Sequence, residues 1–463
     1  MNALGSEHER KAGAIPLDST PIAAATTDYL GEVGRRATRR IACRLLPFVF
    51  LVYVVNYIDR VNVSFANLRM SADLGFSDRV YGLGVGMFYI TYTLFEIPGA
   101  IIAERWSARK WVARIMLSWG IVTLLTGFVH TPREFYAARF LLGVAESSFF
   151  PAMIVYLTHW FRLRERGRAI ACLYCAVPAA SLIGSPLAGW LLGVHWLDLA
   201  GWRWLFVLEG FPAIVLGVIT MFYLTDWPAQ ARWLPEQERN WLVNELRLER
   251  AAKEKIRTYT VMEAFRERRI LVLVVAYLLA MTGYLGNVYW LPTFVKRVSG
   301  LSNQTVTTLL LIPALIGIAA MLLNGWHSDK TNERFWHTGI PLLAAGLMFS
   351  FSTFARLDVT LGVAFLLLGS GLLYAYLPTF WTIPTTMLSE AAAAASFGLI
   401  NSIGQLGGFT GNYTIGVLND QTHSLTASFG FIGLVYLAAG TLILSLRNRP
   451  PLCAVEGSVS STG

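Results

Sequence analysis

Apolar stretches, each close to the ~20 residues that carry a helix across a bilayer, recur along the chain in two sets of six. The first set lies near 44–66, 79–102, 110–130, 134–158, 168–193 and 204–225, the second near 270–295, 304–326, 337–355, 359–387, 394–417 and 427–447. Between the sets runs a polar, charge-rich stretch from Asp226 to Arg269. Within it, Pro235 to Lys255 sets Trp241, Leu242, Leu246 and Leu248 among charged residues at roughly helical spacing, which predicts an amphipathic helix at the membrane surface. The pattern predicts an all-α, polytopic membrane protein of 12 transmembrane helices in two six-helix, pseudo-symmetric bundles. Expected boundaries are a disordered tail over 1–40, a bundle over 41–225, a linker over 226–269, a second bundle over 270–448 and a disordered tail over 449–463.

Composition agrees. Only 14% of the 463 residues are charged, against about 25% in soluble domains. The net charge of +9 is therefore read as loop charge that sets topology, and no nucleic-acid partner is expected. Arg35-Arg36, Arg39-Arg40, Arg105/Arg109/Lys110, Arg162 to Arg168, the central linker, Lys330/Arg334 and Arg447/Arg449 fall on one side of the predicted spans. That side should be cytoplasmic, with both termini inside and the chain in the inner (plasma) membrane. The loop Ser389 to Ser396 departs from the rule, since it carries no positive charge. The first 40 residues show no apolar core with a small-residue cleavage site, so no removable signal is expected. Cys172 and Cys175 have CxxC spacing without the partner ligands a zinc site needs, and no metal is expected.

Charges inside the spans carry the functional signal. Asp59 and Arg60 interrupt the first apolar stretch, where each costs roughly 2.5–3.5 kcal/mol near a helix centre. Arg139 and Glu146 lie two helical turns apart, on one face and about 10.5 Å apart along the axis. Set against Asp59-Arg60, they would place two acids and two bases around one cavity. The planar guanidinium fork suits a carboxylate and stays charged, while an acid held in a low-dielectric site is suited to carrying a proton. Tyr57, Tyr92, Tyr374, Tyr376 and Trp381 could line such a pocket. Asn401 and Gln405 share a face of the eleventh span, extended by Asn412. Glu96 and Glu209 lie nearer span ends and read as structural pairings.

The halves repeat a local pattern. Gly99-Ala100-Ile101-Ile102-Ala103-Glu104-Arg105 closes with Arg109-Lys110, and Gly325-Trp326-His327-Ser328-Asp329-Lys330 closes with Arg334. Repeats of this kind build many secondary transporters, with the substrate held between the halves. With the six-plus-six spans and the linker, they make the chain resemble the major facilitator superfamily over about residues 40–448. Several segments resemble its anion:cation symporter family, particularly the tartrate and sugar-acid branch: Asn56 to Arg60, Arg139 to Glu146, Trp202 to Gly210, Gly325 to Lys330 and Ile400 to Gln405. Ala100 and Ser107 stand where the superfamily signature carries glycine, so the second copy is the intact one.

The resemblance implies roles. Asp59 and Glu146 match the family's proton-linked carboxylates, and Arg60 and Arg139 its substrate- and coupling-linked arginines. Tyr92, Trp381 and Asn401 match its pocket-lining residues, with Tyr57 and Gln405 as further candidates for substrate binding. Val177 stands near the place of an expected polar residue. Glu104, Arg105, Arg109, Asp329, Lys330 and Arg334 are expected to gate, with Glu104 paired to Arg105. The chain is thus expected not to be an enzyme but a monomeric proton-coupled symporter that imports a small organic anion by alternating access. A sugar acid, tartrate or another dicarboxylate, or an aromatic carboxylate would serve; no cofactor is implied, the proton gradient supplying the energy. The alternatives are a proton-independent facilitator or exchanger on the same fold, and a metabolite sensor that transports nothing.

Overall fold

The computed structural model describes the backbone of residues 21–253, 268–356, 358–384 and 390–447. The sequence expectations for 1–20, for the linker over 254–267, for 385–389 and for 448–463 lie outside the described residues. Helices form wherever an apolar run follows a capping residue. Ser77 caps α2 (Asp78–Arg105), which follows the long α1 (Pro21–Leu74). Ser107 caps α3 (Ala108–Thr126), and Thr131, followed by Pro132, caps α4 (Pro132–Glu146). The fourth span then breaks at Ser147–Ser148, with Ser148 left-handed at φ 65°, before resuming as α5 (Phe149–Thr158). The first half ends with α6 (Leu163–Leu191) and α7 (Gly201–Tyr223), joined through the two-residue strands β1 (His195–Trp196) and β2 (Leu199–Ala200).

The linker helix α8 (Glu236–Lys253) leads to the second half. There α9 (Arg268–Ser299) is followed by a broken span, α10 (Asn303–Leu309) and α11 (Leu311–Thr331), then by α12 (Phe335–Phe351). A second broken span comprises α13 (Val359–Leu372) and α14 (Tyr376–Phe380). A third comprises α15 (Glu390–Gln405) and α16 (Gly407–Thr422), and α17 (Leu425–Ser445) closes the bundle. Counted as passes, these make six on either side of α8. Among the described residues, nine helical stretches are long and apolar enough to cross a membrane. Outward-facing apolar side chains such as Leu94, Phe222 and Leu434 cover the surface that lipid would meet.

One boundary and one helix face differ from the sequence reading. Residues 21–40, expected as part of a disordered tail, belong to α1, with Val33, Ala37 and Ile41 buried. Their ordering partner is α8: Trp241 packs against Gly34, and Arg40 pairs with Glu238 at 3.5 Å. The predicted amphipathic helix is present, and Leu242 and Leu246 are buried, but Leu248 points outward at 60% exposure. Its place toward the bundle is taken by Glu245 and Glu249, which pair with Arg162 at 2.8 Å and Arg166 at 3.1 Å.

The halves meet along α1–α9, α2–α16 and α6–α10. The end opposite the linker, called the far end below, is closed. Asp78 of α2 forms an ion pair with Arg297 of α9. The Asp420 carboxylate accepts from the backbone N–H groups of Asp78 and Arg79, both at 3.0 Å, and so caps α2 from the opposite half. Between these contacts the helices approach closely: a Cβ at Gly82 would lie 2.3 Å from the Asn412 carbonyl oxygen.

A tyrosine-lined cavity between the halves

Below the closed far end lies a cavity of about 590 Å³, lined by both halves and reaching Gly325 and Trp326 toward the linker end. Of the sequence-predicted substrate residues, Tyr57, Arg60, Tyr92, Trp381, Asn401 and Gln405 line it. Further tyrosines, including Tyr53, Tyr89, Tyr277 and Tyr289, complete an aromatic wall. Hydroxyl contacts tie that wall across the halves: Tyr57 to Tyr284 at 3.1 Å, and Tyr89 donating to Tyr289 at 3.0 Å.

Arg60 is the cation of the wall. Its Nε donates to Glu146 Oε1 at 2.8 Å, and Asn56 Nδ2 donates to the same oxygen at 2.9 Å. The other oxygen, Glu146 Oε2, is buried without a hydrogen-bond partner. The guanidinium carbon lies 5.0 Å from the Tyr92 ring centroid and 5.8 Å from that of Phe88. The break at Ser147–Ser148 ends α4 at Glu146 and leaves its carboxylate facing α1.

The expected ring of two acids and two bases around one cavity does not form in this conformation. Arg139 is buried at 1% exposure, stacked 4.9 Å from the Phe88 centroid, with Nε and Nη2 unpartnered, and it does not line the cavity. Asp59 faces α3 instead, accepting from Thr123 Oγ1 at 2.8 Å and Asn62 Nδ2 at 3.0 Å. The cause is helical geometry: adjacent residues on α1 point about 100° apart, so Arg60 at the cavity turns Asp59 into the bundle. Asn412 also leaves the predicted polar stripe. The eleventh span breaks at Leu406, and Asn412 Nδ2 bonds back to the Gly408 carbonyl at 2.7 Å beneath α2. Of the aromatics singled out, Tyr374 lines the cavity and Tyr376 does not.

The loop repeats occupy the linker end. In the second copy Arg334 meets Asp329 at 2.6 Å. In the first, the expected Glu104–Arg105 pair is absent; Arg109 pairs with Asp226 at 3.6 Å, and Asp226 also accepts from Ser107 Oγ at 2.8 Å. Asp226 thus holds the start of α3 where the sequence pointed to Glu104. The sequence reading also missed Glu96 as a cavity residue. It lines the wall at 4% exposure, one turn beyond Tyr92, and that i, i+4 spacing from a pocket aromatic was its available signal.

The sequence profile of the Major Facilitator Superfamily matches residues 49–412. The chain belongs to that superfamily. As a facilitator-superfamily protein it is a multi-pass membrane transporter, not an enzyme. It is 43% identical to a protein of Agrobacterium vitis named "Putative tartrate transporter", over 89% of this chain and 94% of that one. It is 37% identical to the quinolone resistance transporter of Acinetobacter baumannii, over 86% and 92% of the two chains. Its fold matches the inward-facing, unoccupied crystal structure of a bacterial homologue of the human lysosomal transporter Spinster. That match has a TM-score of 0.70 and 19% identity, over 88% of this chain and 95% of the other.

Proposed function

We propose that this protein is a proton-coupled symporter that imports a small organic anion across the inner membrane by alternating access, with both termini and the linker cytoplasmic. The observation that carries the reading is the pair that Arg60 of the cavity wall makes with Glu146 buried behind it, with one carboxylate oxygen left unpartnered. While Glu146 is ionised it occupies the guanidinium that a substrate carboxylate needs. A proton on Glu146 dissolves the pair and frees the fork of Arg60 for the anion. Asp59 and Arg139, buried behind the wall, serve in coupling, and the anion enters with its charge offset by protons. The cargo in the name of the Agrobacterium vitis relative, tartrate, is a dicarboxylate, which supports an anion site on Arg60.

Proteoliposomes containing a trapped pH dye test this. Sugar acids, tartrate, other dicarboxylates and aromatic carboxylates are added one at a time. Acidification of the lumen triggered by one acid, and lost in Glu146→Gln, is the expected result. Uptake of a labelled acid with no proton movement in the wild type would sink the coupling and leave a facilitator or exchanger. Binding without uptake of any acid would leave a sensor.

A further inference from the structure

The proposed site holds a second charged-type group that proton coupling through Glu146 leaves unused. Glu96 of α2 lines the same cavity as Arg60 and is 4% exposed. Its Oε1 has one long contact, from Asn401 Nδ2 of the opposite half at 3.4 Å, and its Oε2 is buried with no hydrogen-bond partner. A buried acceptor without a donor is an expensive arrangement unless a ligand supplies the donor. Glu96 lies one helical turn, about 6 Å along the axis of α2, beyond Tyr92, against whose ring the Arg60 guanidinium packs, so the cation and the acid stand on either side of Tyr92. The wall between and opposite them is aromatic: Tyr53, Tyr92, Tyr174, Tyr277 and Trp381.

We infer that Glu96 is the specificity-determining residue of the cavity, selecting aromatic monocarboxylates that carry a hydrogen-bond donor on the ring, away from the carboxylate. This rests on the anion-site reading of Arg60. The carboxylate takes Arg60, the ring lies against the tyrosines, and a hydroxyl or amino group donates to Glu96. A site built to accept from a substrate donor discriminates strongly against the analogue lacking it, because the buried acceptor is then left unpaired. The same placement disfavours tartrate, whose second carboxylate would bring acceptors against an acceptor. Asn401, reaching Glu96 from the other half, makes the contact sensitive to how the halves sit.

The test is equilibrium binding to the purified full chain of four probes: 4-hydroxybenzoate, benzoate, 4-methoxybenzoate and L-tartrate. Wild type, Arg60→Ala, Glu96→Gln and Glu96→Leu are compared, with each variant's thermal unfolding measured alongside. Wild type is expected to bind 4-hydroxybenzoate at least tenfold more tightly than benzoate or 4-methoxybenzoate, and tartrate more weakly still. In Glu96→Leu the hydroxyl preference falls below twofold; in Glu96→Gln, whose amide oxygen still accepts, it is intermediate. Should Glu96→Leu not fold, the wild-type ranking of hydroxy against methoxy and the Gln variant still decide. Equal binding of hydroxy and methoxy probes, a preference untouched by Glu96→Gln and Glu96→Leu, or tighter binding of tartrate overturns the assignment of Glu96. Binding of every probe that is unaffected by Arg60→Ala, or absent altogether, overturns the anion site beneath it. The two failures are therefore distinct.

Discussion

At Arg60 and Glu146 the competition between an internal carboxylate and an external one sets the direction of the pH dependence. Protonating Glu146 removes Arg60's partner, so anion affinity should rise as pH falls. We expect the acid identified in the proteoliposome panel to bind at least tenfold more tightly at the low end than at the high end of the pH range over which the protein stays folded, a difference of about 1.4 kcal/mol or more. In Glu146→Gln the amide cannot ionise, and the two affinities should agree within twofold; a tenfold ratio persisting in that variant would move the proton site elsewhere. Arg60→Lys keeps the charge but loses the planar fork and its stacking on Tyr92, and binding should fall by at least tenfold when titrated at the low end of that range. Affinity in the lysine variant equal to wild type would show that Arg60 acts only as a point charge.

At the scale of elements, the sequence made the helices legible but not their breaks or their azimuths. Runs of apolar residues marked two sets of six spans because the bilayer leaves helices as the economical way to satisfy the backbone. The breaks at Ser147–Ser148, Leu310 and Leu406 depend on tertiary packing, and hydropathy does not register them. Nor does it register that Glu96 and Asn401, 305 residues apart, face one another across the halves. Arg60 was readable as a buried charge; that Asp59 turns away from the cavity became visible only once α3 was placed. Packing of α2 on α16 yields a prediction of its own. A leucine at Gly82 would drive its Cβ to 2.3 Å from the Asn412 carbonyl, so the closed far end could not form. In a protein retaining Cys175 as its single cysteine, a membrane-impermeant maleimide should label that cavity-lining thiol from the linker side in wild type. In Gly82→Leu, labelling should move to the far side and transport should fall at least tenfold. Unchanged sidedness would mean that α2 and α16 do not form the gate.

Across the whole molecule, alternating access requires contacts that exist in one state only, because a contact kept in both shifts no equilibrium. Asp78–Arg297 and the Asp420 cap join opposite halves at the far end, and both must break if that end opens. The two differ in kind. Arg297 is 42% exposed on its side chain, so its pair with Asp78 is screened and worth about 0–1 kcal/mol. The Asp420 carboxylate sits on two backbone N–H groups of α2 and adds a helix-terminus attraction of about 0.3–1 kcal/mol. Because Asp78 provides one of those N–H groups, the two contacts share a residue and should couple. A double-mutant cycle on Arg297→Ala and Asp420→Ala, read by the ratio of Cys175 labelling from the two sides, measures this. Each single change should shift the ratio toward the far side by two- to fivefold. The double variant should shift it by more than the product of the two, since α2 loses both anchors of its first turn. A product within error of additivity would mean that the halves separate at these points independently. No shift in any variant would place the energetic closure of the far end in the glycine packing of α2 on α16 alone.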